Sequence, residues 1–294
     1  MAAASAGRRV LQRMTGELPR QALVGFRHRK LMKNENTSLR QKANQLLHRL
    51  DLHLTSQPDP GRIPWILKNL DNAPSPLRWM VPELIRQHDL KTFVQVGAND
   101  GEWDDPLSEC INKFPIRGIM VEPQPGACAK LKRKYAGNDR VTIEQAAISQ
   151  NEGFLTLYHL SDDQISVGGE KPLRSDLLTS GNRAHMEKMR TALGQTCGIQ
   201  ELKVPALTWP SLLRKHGIPN PDMVLVDTEG MDDVIVNQIE HGEHSPAFIQ
   251  FESLHLDSAR LTVCTRRLAE AGYRFVMSEY DLLCLHGRLL KGMM

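Results

Sequence analysis

From residue 92 onward the sequence predicts an α/β fold, a doubly wound and mostly parallel sheet with helices on both faces. Three observations predict it. Short apolar runs alternate with longer stretches of helical spacing, the pattern of strands joined by crossover helices. The first run, Thr92–Val96, enters a turn of small residues, Gly97, Ala98, Asn99, Asp100 and Gly101. The next run, 118–121, ends in Glu122, 25 positions after Gly97. A strand, a glycine turn opening a helix, and an acid closing the second strand form the geometry that grips nucleotide-like ligands and their ribose hydroxyls.

Each element has its own signal. Residues 1–36 form a basic arm without a core pattern. Residues 37–90 read as a helical cover: Leu39, Ala43, Leu46, Leu47, Leu50 and Leu54 recur at helical spacing, and Thr37 or Ser38 stands ready to cap them. Pro58, Pro60 and Gly61 break that helix; a short one carries Trp65, Ile66 and Leu67; another spans 77–87. Residues 91–294 form the main domain. After the glycine turn, Ile111 and Phe114 mark a helix, 126–135 a helix with a basic outer face, and 140–148 the third strand. Residues 154–160 alternate like an edge strand. Residues 161–203 are polar and glycine-punctuated and read as a long loop or lid, with Met186 and Met189 marking a short helix. Beyond them come a helix at 209–216, a strand at 223–226, a helix at 231–239 and a strand at 247–251. A helix at 260–271 is closed by Gly272, and 273–277 pairs with 282–285 as a terminal hairpin.

Several of these stretches, in this order, resemble one known family. VGANDG in the first turn, VEPQP after the second strand, LVDTEG at 225–230 and FESLHL at 251–256 resemble the FkbM family of S-adenosylmethionine-dependent methyltransferases, and ALTWPSLLRKHGI at 206–218 is similar to that family's approach to its fourth strand. The likeness runs from about residue 92 to about residue 271. Gln95 stands where the common family version has Asp. The resemblance implies a seven-stranded class I, Rossmann-like methyltransferase sheet ending in the hairpin. It implies S-adenosylmethionine as cofactor, held by Gly97, Ala98, Asn99, Asp100, Gly101, Glu122 and Ala147. It implies methylation of a hydroxyl on a sugar, a glycan or another small molecule, with 161–203 covering or selecting the acceptor.

In open α/β sheets ligands bind beyond the carboxyl ends of the strands. There this chain places Asp227, Glu229, Glu252 and His255, an acidic rim suited to a cationic sulfonium and to accepting a proton from an attacking hydroxyl. These four are the candidate catalytic residues, His255 first as general base and Asp227 or Glu229 after it. Asp227 is otherwise the N-cap of the following helix, and His255 a satisfied structural histidine. The spacing matches no dedicated metal loop, so no metal is expected. The acids at 104 and 105 read as solvated. A non-catalytic binding or scaffolding protein on the same fold is the alternative function, and a dehydrogenase the weaker one, since the full GxGxxG is missing.

Totals bound the rest. The first 50 residues carry 11 Lys and Arg against two acids, whereas the remaining 244 hold 26 against 32. The arm is basic and the body acidic. The arm reads as a solvated tail, with contact to an anionic membrane surface and organellar targeting as alternatives. Without an aromatic stacking platform beside the basic helix, no nucleic-acid partner is expected. No apolar run approaches the roughly 20 residues of a membrane span, and no signal peptide is apparent. Five scattered cysteines without a CxxC pair point to reduced thiols and a cytoplasmic setting.

Overall fold

A computed structural model describes residues 53–55, 76–102, 105, 107–161, 164–165, 173–174, 179–242, 244–277 and 281–290. In chain order, β1 (His53–Thr55) and α1 (Pro76–His88) precede β2 (Thr92–Val96). Then come α2 (Ser108–Lys113), β3 (Arg117–Val121), α3 (Pro125–Lys134) and β4 (Val141–Glu144). An inserted region holds β5 (Ala147–Ile148), β6 (Gly153–Leu160), the small ladder of β7 (Gln164–Ile165) and β8 (Leu173–Arg174), β9 (Thr179–Ser180), α4 (Arg183–Ala192) and β10 (Ile199–Leu207). The chain returns through α5 (Trp209–His216), β11 (Met223–Val226), α6 (Asp232–Val236), β12 (Phe248–Glu252) and α7 (Ser258–Glu270). It closes with β13 (Tyr273–Met277), β14 (Asp281–His286) and a 3-10 turn, Gly287–Leu290.

The main sheet runs β1-β13-β14-β12-β11-β2-β3-β4. From β12 to β4 every pairing is parallel; β14 is antiparallel to β12 and β13, and β1 adds antiparallel to β13. Seven of these strands are those the sequence predicts. The eighth is β1, where Leu54 pairs opposite Val276. Leu54 was expected in a helix; its helical spacing is overridden by the open edge that β13 offers. The rest of that expected helix, the one around Trp65 and the basic arm lie outside the described residues.

Alternation along the strands sorts the core onto two faces. Phe93, Met120, Met223, Leu225 and Phe248 pack with Val81, Leu84 and Ile85 of α1, Ile111 of α2 and Leu131 of α3. Val94, Val96, Ile119, Val121, Val224, Val226 and Phe251 pack with Trp209 and Leu212 of α5, Ile235 of α6 and Leu261 and Leu268 of α7. Each such fully buried side chain is worth roughly 1.5–3 kcal/mol. Helix ends follow the local rules. Thr208 and Asp257 cap α5 and α7 by accepting from the N–H groups of Ser211 and Arg260, and Gly217 ends α5 at a left-handed φ of 64°.

The inserted region departs from expectation. Residues 140–148 are not one strand: β4 stays in the main sheet, while Ala147 and Ile148 leave it to pair with Ala206 and Leu207 of β10. Residues 154–160 are not an edge of the main sheet. They form an inner strand of a second sheet, ordered β5-β10-β6-β9. Residues 161–203, read as a loop, contain α4 and most of β10. The apolar signal is thin and split between faces: Leu157 and Val204 pack in a small core with Ala147, Leu160 packs in another with Met186, and Gln200, Glu201 and Lys203 of β10 are exposed. Pro205 inside the strand obscures it further. All five cysteines are free, and four are buried; burial pushes the Cys264 thiol up to about 12. Among the described residues no helix is long and apolar enough to cross a membrane.

Candidate functional site

The strand order reverses between β2 and β11: from β2 the chain steps outward to β3 and β4, and from β11 outward to β12. Such a switch point opens a crevice at the carboxyl ends of the two strands. The glycine turn follows β2 there. Gly97, Asn99 and Gly101 all take positive φ, at 83°, 47° and 72°. A Cβ on Gly97 would stand 1.7 Å from the Asp227 carbonyl oxygen, so the residue is glycine because β11's exit passes directly beside it. The N–H groups of Gly97 and Ala98 donate to the Val121 carbonyl, and that of Asp227 to the Val96 carbonyl. The turn, the end of β3 and the end of β11 are thus locked into one crevice.

Glu122 lies in the crevice, 3% exposed. Its Oε2 accepts from the Asn99 N–H at 2.8 Å and its Oε1 from the Gln124 N–H at 2.8 Å. Asn99 Oδ1 accepts from the Asp100 N–H, and Asp100 Oδ1 from the Glu102 N–H. Asp100 and Ala98 are buried. These side chains shape the turn. Ala147 is the outlier of the predicted set, buried at the start of the second sheet. Beneath the turn, Gln95 Nε2 donates to Asp105 Oδ1 at 3.3 Å. Asp105 was expected to be solvated; it is half-buried with its Oδ2 sealed from solvent, and desolvation pushes its carboxyl above the usual range. An acid therefore does sit beside Gln95, contributed by the loop instead of the strand.

The structure brings Asp227, Glu229, Glu252 and His255 together across the ends of β11 and β12. Asp227 is exposed at the mouth. It does not cap α6, whose first turn is instead organised by Asp232. Asp232 Oδ2 accepts from the Thr228 hydroxyl and the Gly230 N–H, and its Oδ1 from the Glu252 N–H, tying the two rim loops together. Glu229 takes a positive φ of 53°. His255, its side chain 6% exposed, places Nε2 3.0 Å from Glu229 Oε2 and 3.5 Å from Glu252 Oε2. Burial first, then the charges of Glu229, Asp227, Asp232 and Asp281, hold the Glu252 carboxyl well above its ordinary pKa. Burial raises Asp232 to about 6.

Sequence reasoning missed Asp232 and His185. Asp232 was hidden among four acids within the seven residues 227–233, with only its N-terminal helix position as a clue. His185 comes from α4 of the inserted region; its ring lies 4.4 Å from that of His255, edge to face. Burial and the facing His255 push it down to about 4. The Met186 and Met189 spacing found its helix, and both pack inward. Nothing in the sequence showed that the helix would dock on the rim. The Ser180 hydroxyl, donating to the Glu229 carbonyl at 2.8 Å, helps to hold it there.

Among solved structures, the chain is similar to a putative caffeoyl-CoA O-methyltransferase from Staphylococcus aureus, at 9% identity over 85% of this chain and 92% of that one, TM-score 0.40. It is similar to precorrin-6y C5,15-methyltransferase from Geobacter metallireducens at 13%, over 71% and 87%, TM-score 0.38. It is also similar to the O-methyltransferase TomG of Streptomyces achromogenes, solved with SAM, at 12%, over 87% and 92%, TM-score 0.36. A comparison with curated proteins finds no match. The sheet, with its reversed strand order and terminal antiparallel hairpin, is that of a class I methyltransferase. The sequence profile of the methyltransferase FkbM domain matches residues 95–275, from within β2 to within β13 and more than half of the chain. The chain therefore belongs to the FkbM methyltransferase family.

Proposed function

We propose that this protein transfers a methyl group from S-adenosylmethionine to a hydroxyl of a sugar, a glycan or another small molecule. The observation that carries the reading is the juxtaposition of Glu122, the glycine turn and the acidic rim around one switch-point crevice. The residues fit the cofactor chemically. An ionised carboxylate offers about four acceptor positions. Glu122 accepts from the Asn99 N–H and the Gln124 N–H at the end of β3, the position at which an acid in this fold grips a ribose diol. The rim supplies negative charge for a sulfonium. When bound, the cofactor supplies an electrophilic methyl group.

The chain's own contribution is positioning and proton removal. Asp227, exposed at the mouth, and His255, deeper in the rim, are the groups proposed to take the hydroxyl proton. Glu229 and Glu252 stand beside His255, 3.0 and 3.5 Å from its Nε2. The inserted region, docked through Ser180 and His185, is proposed to form the acceptor side of the crevice.

Calorimetry with S-adenosylmethionine, its demethylated product and NAD side by side tests the cofactor. Binding of the first two and not the third is expected. Radiolabelled methyl transfer to a panel of hydroxyl compounds tests the acceptor. With a competent acceptor, Asp227→Asn or His255→Ala should lower turnover by about 10²-fold or more. Asp227→Asn should melt with the wild type, being exposed; His255→Ala leaves a cavity and is compared per folded molecule. Early melting of both with turnover retained per folded molecule would make the rim structural and favour a binding protein on this fold.

A further inference from the structure

We propose that His185, Glu229 and His255, with Glu252 beside them, form a binding site for a divalent first-row cation at the rim of the crevice. Glu229, Glu252 and His255 are oxygen and nitrogen ligands that the sequence already groups at the rim, without the spacing of a metal loop; His185 lies far from them along the chain and reaches them only through the docking of α4. Ligand atoms of His185, Glu229 and His255 all lie within 4.8 Å of one another. So do those of Asp227, Glu229 and Glu252, and Glu229 belongs to both sets. Bonds of about 2.0–2.2 Å to nitrogen and oxygen place neighbouring ligand atoms about 3.0–3.5 Å apart around one ion. The separations of His255 Nε2 from Glu229 Oε2 and Glu252 Oε2, 3.0 and 3.5 Å, fall in that range.

A second observation points the same way. His185 Nε2, Glu229 Oε2 and Glu252 Oε2 are all sealed from solvent without a hydrogen-bond partner. The short approach of His255 to Glu229 lacks hydrogen-bond geometry, so it does not satisfy that oxygen. Three buried polar atoms left without partners in one spot are costly, and a cation satisfies all of them together. Two imidazoles beside carboxylates select zinc, manganese, iron or cobalt over magnesium or calcium, which prefer all-oxygen shells. Such an ion would sit where an acceptor hydroxyl is proposed to enter. It would bind that oxygen as a Lewis acid and ease loss of its proton to Asp227, with His255 acting as a ligand instead of a base. This role rests on the proposed methyl transfer; the binding of the ion does not.

The test is made on the full chain stripped with a chelator. Manganese(II) is titrated in, and its free signal is followed by electron paramagnetic resonance; cobalt(II) is titrated in parallel and followed by visible absorption. One ion per chain, and a cobalt spectrum with nitrogen-ligand intensity, are expected. His185→Ala and Glu229→Gln should each weaken manganese binding by at least about 10-fold. Magnesium in excess should compete poorly. If both variants retain wild-type manganese affinity, or the wild type binds none, the site is overturned. The cobalt spectrum of the wild type serves the same purpose if a variant fails to fold: a spectrum without nitrogen ligation sinks the proposal. Calorimetry with S-adenosylmethionine on the same stripped preparation separates the two readings. Cofactor binding without cation binding defeats only this site, and cation binding without cofactor binding defeats only the methyl-transfer reading.

Discussion

Glu122 serves the fold before it serves any ligand. Its carboxylate closes the glycine turn through Asn99 and the start of α3 through Gln124. Glu122→Ala should therefore do two things at once. It should remove ribose hydrogen bonds, each worth about 0.5–1.5 kcal/mol net and more to a charged acceptor, lowering S-adenosylmethionine affinity by about 10-fold or more. It should also lower the melting temperature, since the Asn99 N–H loses its partner. Calorimetry and a thermal melt on the same sample check both; unchanged affinity would mean that Glu122 does not hold the ribose. Asp105 gives a pH-dependent expectation. Burial raises its pKa on folding, so the folded state binds the proton more tightly and stability falls as pH rises through the folded pKa. Asp105 Oδ2 and Gln95 Oε1 are both sealed without partners, the condition of a neutral acid. Asp105→Asn keeps the Oδ1 that accepts from the Leu107 N–H. The variant should be more stable than the wild type at pH 7, with the difference shrinking toward pH about 4. Denaturant melts across that range decide it, and a difference flat in pH would mean Asp105 is not raised.

At the scale of elements, the crevice depends on how closely β2 and β11 exit together. Gly97→Ala puts a methyl group on the Asp227 carbonyl and asks a non-glycine residue to hold φ 83°, a strain of about 1–3 kcal/mol before the clash is counted. A lower melting temperature and lost cofactor binding are expected together. A variant that melts normally would show that β11 can retreat. Elsewhere, local chemistry predicts the elements well. Capping by Thr208 and Gly217 makes α5 readable residue by residue, and the turn of Gly272 ends the segment after α7. The inserted sheet was not readable, because the buried positions of β6 switch faces along the strand, Leu157 into a cluster with Val204 and Leu160 into one with Met186 and Met189.

For the whole molecule, the crevice is built from β2 onward, and among the described residues the core clusters on both sheet faces draw on Met80 to Leu289. Deleting residues 1–33 should therefore leave S-adenosylmethionine affinity and the main thermal transition unchanged. A collapsed transition in the truncated protein would show that the arm packs on the body. The same architecture places the inserted sheet beside the crevice, so that one rim comes from β11 and β12 and the facing histidine from α4.

The sequence alone determined the parallel sheet, its strand and helix order from residue 92, the glycine turn and the four rim residues. Period-two and helical spacing report burial within a segment, and glycines and caps report local backbone. These are properties of short stretches, legible without neighbours. Tertiary structure alone decided that Ala147 leaves the main sheet, that the Asp105 carboxyl is drawn in from solvent, that Asp232 ties the rim and that His185 meets His255. Each depends on which distant segments pack together. A buried acid or an imidazole pair is made by its surroundings, and the chain carries no local periodicity that records them.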